Sequence, residues 1–88
     1  MNRDEQRYAD SLDLRKIAGE VSWWAFGSLR FRLADGAWYK PDFFVVLLDG
    51  SCVVVEVKGM EREAAIVRFK VAAELYPFFE WQMIRWKK

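Results

Sequence analysis

The sequence predicts a small α/β domain, a mixed sheet flanked by two helices in the order α-β-β-β-α-β. Three observations lead there. Apolar residues recur at helical spacing in two segments, which end at Gly19 and at Pro77. Between them, the runs KPDFFVVLL and SCVVVEVK are apolar on both faces, as strands covered from both sides are. Two Asp-Gly pairs, Asp35-Gly36 and Asp49-Gly50, supply hairpin turns.

Taken in order, residues from about Arg3 to Ala18 form the first helix, with Tyr8, Ala9 and Leu12 on its apolar face. Glu5 falls on that same face, an unusual place for a carboxylate. Val21 to Phe26 reads as an extra short strand, broken by Gly27-Ser28. Leu29, Phe31 and Leu33 alternate with Arg30 and Arg32, the pattern of a half-exposed strand. One long strand follows from about Ala37 to Leu48, and another from Ser51 to Lys58, ended by Gly59. The second helix spans about Glu61 to Tyr76. It buries Ala65, Phe69, Ala72, Ala73 and Tyr76 and exposes Glu63, Lys70 and Glu74. Pro77 stops it, and Phe78 to Trp86 is the last strand.

With 88 residues the chain is a single domain, 1–88, near the lower limit of what folds alone. Its 53% hydrophobic content, with five Trp and seven Phe, exceeds what two helices readily cover on a sheet of four or five strands. A homodimer is therefore expected, with Trp23, Trp24, Trp38 or the last strand in its interface. Fourteen Lys and Arg against thirteen Asp and Glu give a net charge of +1, so any nucleic-acid contact must come from local clusters. Arg30, Arg32, Arg62, Arg68, Lys70 and the Arg85-Trp86-Lys87-Lys88 tail are the candidates. A single Cys and no His exclude an intrachain disulfide and His/Cys zinc sites. The N-terminus carries no apolar signal core and no run is long enough to cross a membrane, so a soluble, reducing, intracellular setting is expected.

Asp42, Glu56 and Lys58 stand out, because charged groups in doubly apolar strands need partners. Glu56 and Lys58, two apart on a strand, point the same way. A two-residue turn at Asp49-Gly50 would set Val57 opposite Asp42. A three-residue loop from Asp49 to Ser51 would set Phe44 opposite Glu56 and Asp42 opposite Lys58, all on one side; convergence of the trio requires that second register. Two carboxylates about 4 Å apart repel by roughly 4 kcal/mol at an effective dielectric of about 20. A proton, Lys58 or a divalent cation must offset that, and oxygen-only ligation suits Mg²⁺ or Mn²⁺. Singly, each residue has a plainer account: Asp42 as a strand-edge acid bonded to backbone, Glu56–Lys58 as an ion pair, Glu5 as a first-turn acid favoured by the helix dipole. Together, bracketed by Pro41 and Gly59, they point to a site.

Pro41-Asp42 followed by Glu56-Val57-Lys58 resembles the signature of the PD-(D/E)XK nuclease superfamily. The wider stretch WYKPDFFVVLLDGSCVVVEVKG, followed by a helix ending VAAELYP, is similar to small phage and prophage endonucleases of the Holliday-junction-resolving type. The resemblance implies a restriction-endonuclease-like core. It implies Asp42, Glu56 and the Val57 carbonyl as metal ligands, Lys58 as catalytic lysine, and a further acid from the first helix, Glu5, with Glu20 as its rival. It also implies an Mg²⁺- or Mn²⁺-dependent endonuclease acting on branched or structured DNA, a cytoplasmic phage or prophage protein of a bacterial host. Arg30, Arg32, Lys70, Arg85, Lys87 and Lys88 would then follow the DNA backbone, and a homodimer would provide two sites for paired incisions. The alternatives are a catalytically silent DNA-binding or assembly module of the same fold, and a nicking or restriction-type nuclease on duplex DNA.

Overall fold

The computed structural model describes residues 1–58 and 63–85, Lys58 through its backbone alone. Helix α1 (Arg3–Ile17) opens on a capping box. Asn2 Oδ1 accepts from the Glu5 N–H at 2.8 Å, and Glu5 Oε1 accepts from the Asn2 N–H at 2.7 Å. It ends where Gly19 takes φ 83°, a conformation that costs a residue with a Cβ. Tyr8, Ala9 and Leu12 are its buried residues, as the periodicity predicts.

The main sheet has the order β1-β4-β5-β6. Strands β1 (Val21–Phe26), β4 (Phe43–Leu47) and β5 (Cys52–Lys58) pair antiparallel, while β6 (Glu80–Arg85) runs parallel to β5. A parallel neighbour requires a crossover, which helix α2 (Glu63–Leu75) supplies. Strands β2 (Phe31–Ala34) and β3 (Ala37–Tyr39) form a separate hairpin, with Ala34 facing Ala37 across the two-residue Asp35-Gly36 turn.

Two expectations are corrected here. The segment Ala37 to Leu48 is not one strand: it breaks at Lys40-Pro41-Asp42 into β3 and β4, which belong to different sheets. Pro41 has no N–H for a ladder and restricts Lys40 before it, so the chain bends there. The main-sheet strand nearest the N-terminus is Val21–Phe26, read as an optional extra; the Arg30/Arg32 strand lies outside that sheet.

Helix α1 covers one sheet face, packing Tyr8, Ala9 and Leu12 on Val21, Phe43, Val45, Val53, Val55 and Val57. The opposite face is covered by α2 and the β2-β3 hairpin together, with Phe31, Tyr39, Val54 and Ala72 at its centre and Phe44, Phe69, Tyr76, Phe79 and Trp81 around them. The hairpin is a third covering element, which the expectation of a bare sheet face omitted. Much of the aromatic content is thus used within one chain, although Trp23 stays 50% exposed on edge strand β1 and Phe78 76% exposed before β6.

The β4-β5 register differs from both registers considered. Phe43 faces Val55, Phe44 faces Val54 and Val46 faces Cys52. The loop is Leu48-Asp49-Gly50: the Gly50 N–H donates to the Leu47 carbonyl at 3.0 Å, and the Leu47 N–H to the Ser51 carbonyl at 2.9 Å. Gly50, at φ 90°, makes this a turn followed by a bulge, which shifts the pairing. Continued by one residue, this register sets Asp42 against Glu56, rather than against Lys58 or Val57.

Candidate active site

Asp42 stands one residue ahead of the Phe43–Val55 pair, and its carboxyl meets that of Glu56 at the end of the sheet where β4 begins. Glu56 lies on the side of Val54, under α2 and the hairpin, while Asp42 sits at the sheet end, within reach of α1 as well. Glu56 is 9% exposed, the one charged residue in the described core. Its Oε1 accepts a short hydrogen bond from the phenol of Tyr39, itself buried. Burial first, then the bond to Glu56 and the charges of Glu56 and Asp42, raise the Tyr39 phenol far above its usual range, so it acts only as a donor.

Asp42 is tied down from two sides. Its Oδ2 accepts from the Val57 N–H at 2.7 Å, and its carbonyl accepts from the Gly27 N–H at 2.8 Å. The same register sets Pro41 against Val57. Pro41 can return no N–H to the Val57 carbonyl, so the ladder stops at the site. Burial pushes the Asp42 carboxyl up to about 6; the Val57 N–H opposes this, and the hydrogen bond and charge of Glu56 reinforce it.

Glu5 approaches from α1 and its carboxyl reaches that of Asp42, while Glu5 also closes the helix cap. Glu20 lies at the other end of the sheet: its carbonyl accepts from the Leu48 N–H at 3.0 Å, and its carboxylate pairs with Arg15 at 3.1 Å. Two carboxyls, those of Glu5 and Glu56, therefore approach that of Asp42, though among the described residues no three such groups are spaced as one metal shell. Lys58 closes β5 two residues beyond Glu56, its backbone paired with Arg85 of β6.

A concavity of about 260 Å³ opens at Glu56, lined by Trp38, Tyr39, Lys40, Glu56, Ala65 and Arg68. A carboxylate thus sits among two cations in a cleft. Of the residues predicted to contact DNA, Arg30 stacks its guanidinium on the Trp38 ring, 4.5 Å from the centroid. Arg32 is paired with Asp35 in the hairpin turn, and its carbonyl accepts from Tyr76 Oη at 2.7 Å, near the far end of α2. Lys70 is exposed on α2, two residues from Arg68 and so on another side of that helix. Arg85 lies at the Lys58 end of the sheet. Arg62, Lys87 and Lys88 lie outside the described residues.

Sequence reasoning offers Arg68 as a nucleic-acid contact, and it lines the cleft, but it does not single out Tyr39 or Lys40. Tyr39 and Asp42 are three apart, and in one continuous strand they would face opposite ways. The break at Pro41 resets that alternation, and a proline two residues after the tyrosine was the available signal. Comparison of the chain with family models, with curated proteins and with solved structures finds no match.

Proposed function

We propose that this chain is a metal-dependent DNA endonuclease of the PD-(D/E)XK type, hydrolysing phosphodiester bonds in branched or structured DNA. The observation that carries the reading is the pairing of half-buried Asp42, at the start of β4, with buried Glu56 of β5, which lines a cleft with Lys40 and Arg68. The element order agrees with it: with the β2-β3 hairpin taken as an insertion, α1, β1, β4, β5, α2 and β6 follow α-β-β-β-α-β.

The donors present suit a hard cation. Asp42, Glu56 and the Val57 carbonyl offer oxygen only, and Mg²⁺ is commonly held by one or two carboxylates with water completing its shell. When bound, such an ion lowers the pKa of water and neutralises charge on a phosphoryl oxygen. The chain's own residues do the rest. Tyr39 fixes one oxygen of Glu56, leaving the other for the ion. The Val57 N–H fixes one oxygen of Asp42 in the same way, and Glu5 acts through Asp42. Lys58 is assigned the role of stabilising charge at the reacting phosphate on its sequence position two residues beyond Glu56, and Lys40 and Arg68 would hold the flanking backbone.

Two copies would give two sites for paired incisions, joined through the exposed edge strand β1 and Trp23. Light scattering should return about twice the 10.4 kDa chain mass; a monomer at micromolar concentration would remove the dimer and favour a nicking enzyme. One observation favours a second reading, a catalytically silent DNA-binding module: both carboxylates already have protein hydrogen bonds. The deciding assay incubates purified protein with Mg²⁺ or Mn²⁺ on linear, nicked, single-stranded and four-way-junction DNA. Cleavage lost in Asp42→Asn and Glu56→Gln supports the nuclease. Binding without cleavage selects the silent module.

A further inference from the structure

We infer that Trp38 and Arg30 form a stacking subsite for one unpaired nucleobase beside the proposed cleavage site. This rests on the nuclease reading and specifies its substrate: DNA with a base out of the stack next to the phosphate to be cut.

The three tryptophans named for a dimer interface separate cleanly. Trp24 packs on Phe43 within the α1 face, with its Nε1–H given to Asp13 at 3.0 Å. Trp23 is exposed, but it lies on β1 and packs on Phe44. Trp38 alone of the three lines the cleft that holds Glu56, and the residue is 44% exposed overall. The Arg30 guanidinium at 4.5 Å makes the pair a flat, cationic and aromatic surface. Its ring is already held in place, so less side-chain freedom is lost when a base joins the stack.

Size and charge select the occupant. At about 260 Å³ the cleft is near the small end of ligand pockets, about 300 to 1,000 Å³, and suits one nucleotide rather than a duplex. Lys40 and Arg68 suit the phosphate on either side of that nucleotide. A base within a duplex is stacked on both faces and has none to offer an indole. Only a base at a bulge, a junction or a nick, or one extruded from the helix, can do so.

The test measures binding by fluorescence anisotropy, with Ca²⁺ replacing Mg²⁺. Three labelled DNAs are compared: a paired duplex, the same duplex with one bulged adenine, and the same with a bulged abasic site. The wild type should prefer the bulged adenine over the paired duplex by about tenfold, the worth of stacking one base, and the abasic bulge should lose that preference. Trp38→Ala should bring the ratio close to one, Trp38→Phe should keep most of it, and Arg30→Ala should lower it. Equal binding of all three DNAs by the wild type, or an unchanged ratio in Trp38→Ala with native circular dichroism, overturns the subsite. A parallel Mg²⁺ cleavage assay separates the two ideas. Cleavage without base preference removes the subsite and leaves the nuclease; base preference without cleavage keeps the subsite and removes the nuclease. Failure to bind or cut any of the three removes both.

Discussion

Tyr39 and Glu56 come from different sheets, seventeen residues apart, and the phenol of one donates to the carboxylate of the other inside the core. This bond joins the β2-β3 hairpin to the strand that carries the candidate chemistry. Tyr39→Phe keeps the ring and removes the donor, leaving a buried carboxylate oxygen short of a partner. The expected loss is about 1–3 kcal/mol of stability, read from urea unfolding at neutral pH. In a Glu56→Gln background the same change should cost less, and equal costs in both backgrounds would show that the bond contributes nothing.

Asp42 makes stability depend on pH with a definite sign. Its folded pKa, about 6, lies above the ordinary 3.8. Across that interval the folded chain keeps a proton that the unfolded chain has released, so stability falls as pH rises. The size is on the order of 1 kcal/mol, allowing for solvent screening of this half-buried group. Asp42→Asn retains an acceptor for the Val57 N–H, and should flatten the profile and be the more stable protein at neutral pH. Urea midpoints across the interval check this; a contribution from Asp42 that rises with pH would contradict it.

The same proton competes with a cation. Mg²⁺ affinity, measured by calorimetry, should strengthen as pH rises through the Asp42 pKa, with proton uptake by the buffer on binding. Affinity that is flat across that range would place any ion elsewhere.

Glu56→Gln keeps an acceptor for Tyr39 and loses the charge. Cleavage should drop by at least about 10²-fold while the fold persists. Lys58→Ala should retain metal binding and lose turnover. Wild-type cleavage by Glu56→Gln would take Glu56 out of the mechanism.

The two helix-region acids should part company. Glu5→Gln should lower cleavage, because its carboxyl meets Asp42. Glu20→Gln should leave cleavage unchanged and cost no more than an exposed ion pair, roughly 0–1 kcal/mol. Equal effects on cleavage would undo this distinction.

Legibility in the sequence followed the range of the forces involved. Helix α1 with its buried Tyr8, Ala9 and Leu12, the Asp35-Gly36 turn and the buried face of α2 rest on local periodicity and turn chemistry, which one segment reveals by itself. That Asp42 and Glu56 come near one another follows from two strands and a turn, and was also legible, though not the register that joins them. What escaped was set by a residue acting between elements. Pro41 ended one strand and began another, which moved the β2-β3 hairpin off the sheet and turned Tyr39 toward Glu56. The alternation of Tyr39 with Asp42 argued against that placement until the break was known.

The loop Leu48-Asp49-Gly50 stands five strand residues from Asp42, roughly 17 Å away, and touches none of the site. It nevertheless sets the phase of β5. One residue fewer there would rotate every β5 side chain by half a turn, sending Glu56 into the valine layer beneath α1 and a valine to the cleft. Gly50 therefore governs where Glu56 points from a distance, as the pitch of a thread decides where a screw's slot will come to rest.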